Sequence, residues 1–213
     1  MALEAGLGGA LDATNIVENT LVAVFTTISR DHMGYLGDTL EEIAGNKAGI
    51  LKPGCVAVSA AQAPAVKKVL EDYALKYGCS LRFADPQKAA VQKQDYRGTV
   101  FSYGGMEQLQ IQMPGSYQIL NAVTAYEAIH ALNSILEQKI PEQAVRRGFL
   151  KACWPGRFMC IKERPVFLVD GAHNVDAAIR LRESMEMFFP QKRLIYIMGV
   201  FRDKEYEKIA DIL

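Results

Sequence analysis

Apolar residues recur at the spacing of strands in some segments of this chain and at the spacing of helices in others. These patterns predict its first elements. A predominantly apolar run at 21–28 lacks the polar alternation of a half-exposed strand, which is typical of a central parallel strand covered on both faces. Further strands at 55–59 and 80–83 flank a helical pattern at 64–77. This strand–helix–strand order predicts an α/β fold with a mainly parallel sheet.

The period changes in the middle of the chain. Segments 99–103 and 108–113 alternate on either side of two adjacent glycines, which predicts an antiparallel β-hairpin. A helical pattern follows at 118–138, and a shorter one runs from 141 to about 150, with Gly148 as its expected cap. The parallel sheet is therefore followed in sequence by a hairpin and two helices.

The tripeptide Trp154-Pro155-Gly156 interrupts the helical pattern. After it, apolar strands at 166–169 and 194–198 enclose a helical pattern at 175–188, which predicts a new β-α-β unit. We therefore predict a domain boundary between residues 154 and 155.

Lys47 lies where a predicted helix should present only apolar residues. The helix is expected to start at Asp38, with Glu41 completing a capping box, and to end before Pro53. The inward stripe before Lys47 consists of Leu40, Ile43 and Ala44. Since burying an unpaired ammonium is costly, Lys47 has to be paired, neutral or chemically modified, unless its stem packs and its tip reaches water.

Two further polar side chains are expected at the same edge of the sheet. His32 lies on the loop that leaves the strand at 21–28, at the carboxyl end where open α/β sheets bind ligands. Glu4 belongs to a strand-like segment, 3–5, before a glycine-rich turn. We expect Glu4 and His32 to lie within one side chain's reach of Lys47, which predicts a cation site. Taken singly, Glu4 is equally explained as a solvated acid and His32 as a hydrogen-bonded loop histidine.

Seven segments of the chain carry a family resemblance, in the family's order. They include Glu-Ala-Gly-Leu-Gly-Gly near the start, Trp-Pro-Gly-Arg-Phe at the predicted boundary, and Asp-Gly-Ala-His-Asn after the strand at 166–169. The segments are 4–15, 31–44, 47–54, 115–122, 154–158, 169–174 and 199–204. Together they closely resemble the folylpolyglutamate synthase and dihydrofolate synthase family, the folate-specific members of the Mur ligase superfamily.

The resemblance implies a fold for each part of the chain. Residues 1–154 correspond to the C-terminal portion of a Mur-ligase-type central ATPase domain, a mainly parallel sheet with helices and a β-hairpin. Residues 155–213 correspond to the start of the Rossmann-like C-terminal glutamate-ligase domain. The phosphate-binding loop G-x-x-x-x-G-K-[ST] of such ligases is absent from the sequence. We therefore expect an internal part of a longer enzyme, inactive on its own; the alternative is that Met1 is the natural start and the loop was lost.

The resemblance also implies a reaction. Ligases of this family use ATP to phosphorylate the terminal carboxylate of a folate or dihydropteroate, and they join the acyl phosphate to L-glutamate. In relatives, a metal ion is held by the residues that match Glu4 and His32, and the lysine that matches Lys47 is carbamylated. Oxygen donors suit Mg²⁺, and the imidazole also suits Mn²⁺. These three residues are the predicted metal ligands and the predicted catalytic residues.

Four residues are implied as ATP contacts, namely Asn121, Arg157, Asp170 and His173. A carboxylate at a strand end accepts hydrogen bonds from ribose hydroxyls, and the turn with His173 starts a helix whose amide groups favour phosphate. Arg157 offers a planar, charged fork for phosphate oxygens. Without the resemblance, Arg157 is equally explained as a surface arginine paired with Glu163. Asp170 and His173 are then better explained as an ordinary Asx turn and helix cap, and Asn121 as a capping residue near a helix start.

Three positions depart from the family pattern: Ala10 replaces a usual arginine, Asn46 a usual glutamate and Tyr117 a usual histidine. These differences leave the predicted metal residues intact. Two other functions also stay open. One is a muropeptide ligase of the same superfamily. The other is a non-catalytic nucleotide- or metal-binding module, which the absent phosphate loop favours.

Composition adds limits on partners and compartment. Lysine plus arginine and aspartate plus glutamate both number 24, so we expect no basic surface for nucleic acid or anionic membrane. No apolar stretch reaches the ~20 residues that span a bilayer. The four cysteines show no C-x-x-C spacing, which favours a reducing compartment. We expect a cytoplasmic protein whose full-length form is a monomer.

Overall fold

The computed structural model describes residues 1–30, 34–201 and 205–213. The described chain divides into two compact units. The first unit is Met1–Pro86 with Val123–Ile140, and the second is Gln87–Ala122 with Pro141–Leu213. Both units contain strands and helices, which confirms the predicted α/β class. The domain boundary between residues 154 and 155 stays a prediction.

The first unit is built on a three-stranded parallel sheet. Its strands are β1 (Val22–Phe25), β2 (Val56–Ser59) and β3 (Ser80–Phe83), hydrogen-bonded in that order. Val22 pairs with Val56, and Val56 pairs with Ser80, so the three strands start level. The predicted parallel sheet is confirmed, with β1 shorter than the apolar run at 21–28.

Helices α1 (Leu40–Ala48) and α2 (Pro64–Tyr77) pack against this sheet. Their buried sides contribute Ile43 and Leu70 to the core that they share with the strands. Helix α2 has its predicted bounds. It ends at Gly78, whose φ of 64° is a left-handed conformation that glycine adopts at little cost.

The start of α1 differs by one residue from the prediction. Thr39 is the N-cap: its hydroxyl accepts from Glu42 N at 3.2 Å, and the Glu42 carboxylate accepts from Thr39 N at 3.1 Å. The same carboxylate accepts from Asp38 N at 2.8 Å. The expected Asp38–Glu41 box is wrong because Thr39–Glu42 has the same spacing and lets one carboxylate satisfy two backbone amides.

The N-terminal segment is not a strand. Residues 1–5 have no regular structure, and a 3-10 helix follows at Ala13–Ile16. The strand expected there is wrong, because a strand requires a hydrogen-bonded neighbour and the described residues supply none. Instead, Asp12 holds the segment by accepting hydrogen bonds from Leu7 N at 2.8 Å and from Thr14 N at 2.9 Å.

The second unit contains a three-stranded antiparallel sheet. Its strands are β4 (Ala90–Asp95), β5 (Gly98–Tyr103) and β6 (Met106–Ile111). Strands β5 and β6 are the predicted hairpin, and its turn uses the positive φ of Gly104 and Gly105, 57° and 85°. The sequence does not indicate β4, because most of its residues are exposed and no buried positions alternate along it.

Two helices follow this sheet in sequence, α3 (Gln118–Ile135) and α4 (Glu142–Lys151). Helix α4 ends at its cap, Ala152, and the predicted cap Gly148 lies inside the helix. That prediction is wrong because Ala152 N donates to Gly148 O at 3.0 Å, so helical hydrogen bonding continues past the glycine. None of the helices in the described ranges combines the length and apolar character that crossing a membrane requires.

The last strands of the second unit form an antiparallel pair. They are β7 (Met159–Glu163) and β8 (Val166–Val169), and helices α5 (Val175–Phe188) and α6 (Tyr206–Ile212) follow. Residues 194–198, predicted as a strand, have no regular structure, and Ile195 and Ile197 are exposed. The strand prediction is wrong because no strand of the described chain pairs with this segment.

Candidate nucleotide site

The Asp170 carboxylate joins two turns of the second unit. It follows β8, and its Oδ2 accepts a hydrogen bond from Phe158 N at 2.7 Å. Its Oδ1 accepts one from Ala172 N at 2.8 Å, which forms an Asx turn. Each carboxylate oxygen has a second lone-pair position beyond these bonds. The carboxylate is therefore fixed in place while it keeps the capacity to accept from a ligand.

Arg157 lies beside the same turn. A Cβ atom at Gly171 would stand 3.3 Å from Arg157 Nη1 and 3.4 Å from Gly156 O. Glycine at this position therefore lets the guanidinium approach the turn closely. In the described part of the chain, the alternative partner Glu163 pairs with Arg97 at 2.8 Å rather than with Arg157.

Tyr117 belongs to the same cluster, although the sequence marks it only as a departure from the family pattern. Burial raises the pKa of its phenol, the negative charge of Asp170 raises that pKa further, and the charge of Arg157 opposes the rise. Both charges therefore act on the Tyr117 phenol. The position of Tyr117, directly before α3 and inside the resembling segment 115–122, is the signal that could have indicated it.

Asn121 lies in the first turn of α3. Its Nδ2 donates to Gln118 Oε1 at 3.2 Å, and its backbone N donates to Tyr117 O at 3.3 Å. Gln118 is buried, so its amide holds the Asn121 side chain in one orientation. These bonds connect Asn121 to the turn that carries Tyr117.

His173 lies in the turn that starts α5. Its Nδ1 donates to Gly171 O at 2.8 Å, because a carbonyl oxygen can only accept. In the neutral ring, Nε2 is then the acceptor that remains for a ligand. Asn174 caps the helix by accepting from Ala177 N at 2.8 Å. The Asx turn and the helix cap, which explain these residues without a ligand, are thus both present. Neither of them uses Nε2 of His173.

The predicted cation residues belong to the first unit. Glu4 is exposed in the irregular N-terminal segment, and Lys47 is half-buried on α1. His32 lies outside the described residues. Within the described ranges, no three His, Cys, Asp or Glu side chains form a group that could hold a metal ion. A half-buried lysine also agrees with a stem that packs and a tip that reaches water, so the cation site stays a prediction.

The glycine-rich turn after Glu4 packs against the end of α1. Ala10 N donates to Asn46 O at 2.9 Å, and a Cβ atom at Gly9 would stand 2.7 Å from Lys47 O. Glycine is required here because the two backbones approach too closely for a side chain. The turn that follows Glu4 is thus held against the helix that carries Lys47.

Two family models match the sequence. Residues 1–129 match the Mur ligase middle domain, and residues 156–213 match the glutamate ligase domain of Mur ligases. The first match contains the predicted cation residues and Asn121. The second contains Arg157, Asp170 and His173.

Curated relatives match the chain over nearly its whole length. The dihydrofolate synthase/folylpolyglutamate synthase of Bacillus subtilis is 34% identical over 211 residues, which cover 97% of this chain and 49% of the relative. The Escherichia coli protein of the same name is 35% identical over 206 residues, which cover 95% and 46%. The chain spans about half the length of the curated relatives it matches.

Solved structures of this group share the fold. A folylpolyglutamate synthase complex with AMPPCP and folate has a TM-score of 0.89 at 29% identity, over 98% of this chain and 52% of that one. Mycobacterium tuberculosis folylpolyglutamate synthase with ADP has a TM-score of 0.84 at 32% identity, over 98% and 48%. The chain therefore belongs to the Mur ligase family, and it resembles that family's folate-specific members along nearly its whole length.

Proposed function

We propose that this chain carries the nucleotide-binding and glutamate-ligase part of an ATP-dependent ligase that joins L-glutamate to a folate. Support comes from relatives named dihydrofolate synthase/folylpolyglutamate synthase, which match 97% of the chain, and from a related structure that holds a nucleotide analogue with folate. The observation that carries the proposal is the Asp170 carboxylate, held by Phe158 N and Ala172 N beside Arg157.

In this proposal the second unit binds ATP. Asp170 accepts from ribose hydroxyls with the lone pairs that its backbone bonds leave available. Arg157 and the amide groups at the start of α5 bind phosphate oxygens, because a charged planar fork and a helix N-terminus both favour anions. His173 Nε2 and the Asn121 amide contact the remaining polar groups of the nucleotide.

Amide formation proceeds through an acyl phosphate. A terminal carboxylate oxygen of the folate attacks the γ-phosphorus of ATP and releases ADP. The amino nitrogen of glutamate then attacks the acyl carbon and releases phosphate. Such a reaction depends on positioning and on neutralising phosphate charge, which is the role of Arg157 here. Dihydropteroate also ends in a carboxylate, so it is the second candidate substrate.

Mg²⁺ supplies further neutralisation of phosphate charge when it is bound. The described residues do not supply a fitting ligand set, because Glu4 offers one exposed carboxylate and Lys47 an amine, whereas Mg²⁺ takes an octahedral shell of oxygen atoms. A carbamate on Lys47 would add an oxygen donor. Native intact-mass spectra that show the added mass of CO₂, and its loss in Lys47→Ala, would support this modification, and an unmodified Lys47 in a metal-loaded site would contradict it.

The ligase proposal is tested on the protein as its natural gene encodes it. ADP release should require both a folate substrate and L-glutamate, and mass spectrometry should show the amide with one added glutamate. Asp170→Ala should raise the KM for ATP about tenfold or more, because the ribose loses a charged hydrogen-bond acceptor. ADP release that depends on a muropeptide would establish the muropeptide ligase instead. Nucleotide binding without any such turnover would favour the binding module.

A further inference from the structure

Two cysteine side chains meet in the first unit, and neither takes part in the proposed ligase chemistry. Cys55 Sγ and Cys79 Sγ are 3.4 Å apart, with Cys55 buried and Cys79 half-buried. They directly precede β2 and β3, which run parallel and pair Val56 with Ser80. The two cysteines therefore face each other one step before the register of these strands begins.

The backbone on both sides of the pair is already held. Cys79 N donates to Ala74 O at 2.8 Å. Gly54 N, directly before Cys55, donates to Tyr77 O at 3.1 Å. Facing residues of neighbouring strands are about 5 Å apart, which lies inside the Cα separation that disulfides span. Side-chain rotation is then sufficient to bring the sulfur atoms to the ~2 Å of a disulfide bond.

We propose that Cys55 and Cys79 form a reversible intrachain disulfide, a modification site that links β2 to β3. The oxidant is a low-molecular-weight disulfide, RSSR. One cysteine thiolate attacks RSSR, forms a mixed disulfide and releases RS⁻; the other cysteine then attacks the protein sulfur of that mixed disulfide and releases a second RS⁻. Two protein thiols are oxidised, one RSSR is reduced to two RSH, and the two thiol protons pass to the released thiolates.

The surroundings of the pair keep it reduced under mild conditions. Burial, followed by the hydrogen bond with Cys55, raises the pKa of Cys79 to about 11. Cys79 Sγ also donates to Lys52 O at 3.2 Å. Both features favour the thiol over the attacking thiolate, so oxidation is slow and requires an excess of oxidant.

The disulfide closes a loop that contains the whole of α2. A cross-link across a loop of this size restricts the unfolded chain and so stabilises the folded one. We expect oxidation to raise the midpoint of thermal unfolding by about 5 °C or more, and reduction to reverse the shift.

Peptide mapping after oxidation tests the proposal. The Cys153→Ser/Cys160→Ser double variant keeps only Cys55 and Cys79 of the four cysteines; it is treated with oxidised glutathione and then alkylated. The expected result is a linked peptide pair that is about 2 Da lighter than its two reduced peptides, no free thiol, and a higher unfolding midpoint. Adding Cys55→Ser to this background is the control, and its unfolding midpoint should not rise on oxidation.

The unmodified chain, oxidised and digested in the same way, gives an independent result should the double variant fail to fold. A Cys55–Cys79 linked peptide within one chain supports the proposal. Two alkylated cysteines after oxidation, separate glutathione adducts on each, or links only between chains would overturn it.

Discussion

Phe158 N donates a 2.7 Å hydrogen bond to Asp170 Oδ2, and this bond ties the turn after Pro155 to the turn that starts α5. In the sequence these turns belong to two separate motifs. The structure joins them because β7 and β8 are antiparallel and pair Met159 with Val169, which leaves Phe158 and Asp170 facing each other at the next position. A ligand that binds the Asp170 carboxylate therefore shares it with the backbone amide of Phe158 in the preceding turn.

Two substitutions of Asp170 should destabilise the protein to different degrees. Asp170→Ala should lower the free energy of unfolding by about 2–3 kcal/mol, since two backbone amides lose a charged acceptor. Asp170→Asn keeps one oxygen acceptor and should cost about half as much. Urea denaturation of both variants measures this difference. Equal losses would show that the paired hydrogen bonds are not what holds the two turns together.

Two glycine substitutions should change stability in opposite directions. Gly9→Ala should cost about 2 kcal/mol or more, because the added Cβ would stand 2.7 Å from Lys47 O. Gly148→Ala is the matched control, since among the described residues nothing outside the backbone of its own helix and its chain neighbours lies within 4 Å of the added Cβ, and the position is exposed inside α4. This control should gain about 0.5–1 kcal/mol from higher helix propensity. Thermal unfolding measures both, and an unchanged midpoint for Gly9→Ala would argue against the close packing of its turn on α1.

Asp12 should contribute a stability that disappears in acid. Its pKa is lowered from 3.8 to about 2, first by the hydroxyl of Thr14, which donates to Oδ1 at 2.6 Å, and then by the backbone amides of Leu7 and Thr14. Because the folded state holds this pKa below its unfolded value, the contribution is complete above about pH 4 and is lost as the pH falls towards 2. Denaturation of wild type and Asp12→Asn between about pH 5 and pH 2 measures it. The gap between the two proteins should close with acid, and a constant gap would contradict the prediction.

The elements that bury one face could be predicted from the sequence, and the exposed ones could not. Helix α2 and the parallel strands leave an apolar pattern because their inward residues are buried. Strands β4 and β7 leave none, since most of their residues face solvent. The predicted N-cap of α1 lies one residue too early because Asp38 and Thr39 are both good caps, and it is the hydrogen bond from Glu42 N to the Thr39 hydroxyl that distinguishes them.

The candidate site could be predicted only where a motif carries it. Asp170 and Arg157 follow from short segments that resemble a family. Tyr117 also lies in such a segment, but the sequence marks it only as a departure from the family pattern, because its place beside Asp170 and Arg157 depends on how the chain folds. The strand prediction around Glu4 is wrong for a related reason: a local apolar pattern does not say whether a neighbouring strand is present to pair with it.

The 213-residue chain should form no glutamate–folate amide by itself, because its sequence contains no G-x-x-x-x-G-K-[ST] loop to hold the β- and γ-phosphates. A coupled assay for ADP, with folate and L-glutamate supplied together and singly, measures this. We expect the rate of ADP release to equal the rate measured in buffer without the protein. ADP release that requires both substrates would show that other residues of this chain replace the loop.

Titration with ATP, followed by the fluorescence of Trp154, tests the nucleotide site most directly. Trp154 is the single tryptophan of the chain, is 56% exposed, and stands three residues before Arg157. We predict a weak but saturable change, with a Kd on the order of 1 mM. Asp170→Ala and Arg157→Ala should each weaken binding about tenfold, and Arg147→Ala, which removes an exposed arginine of α4, should leave it unchanged. Equal affinity in all four proteins, or no saturable change in the wild type, would contradict a nucleotide site at Asp170.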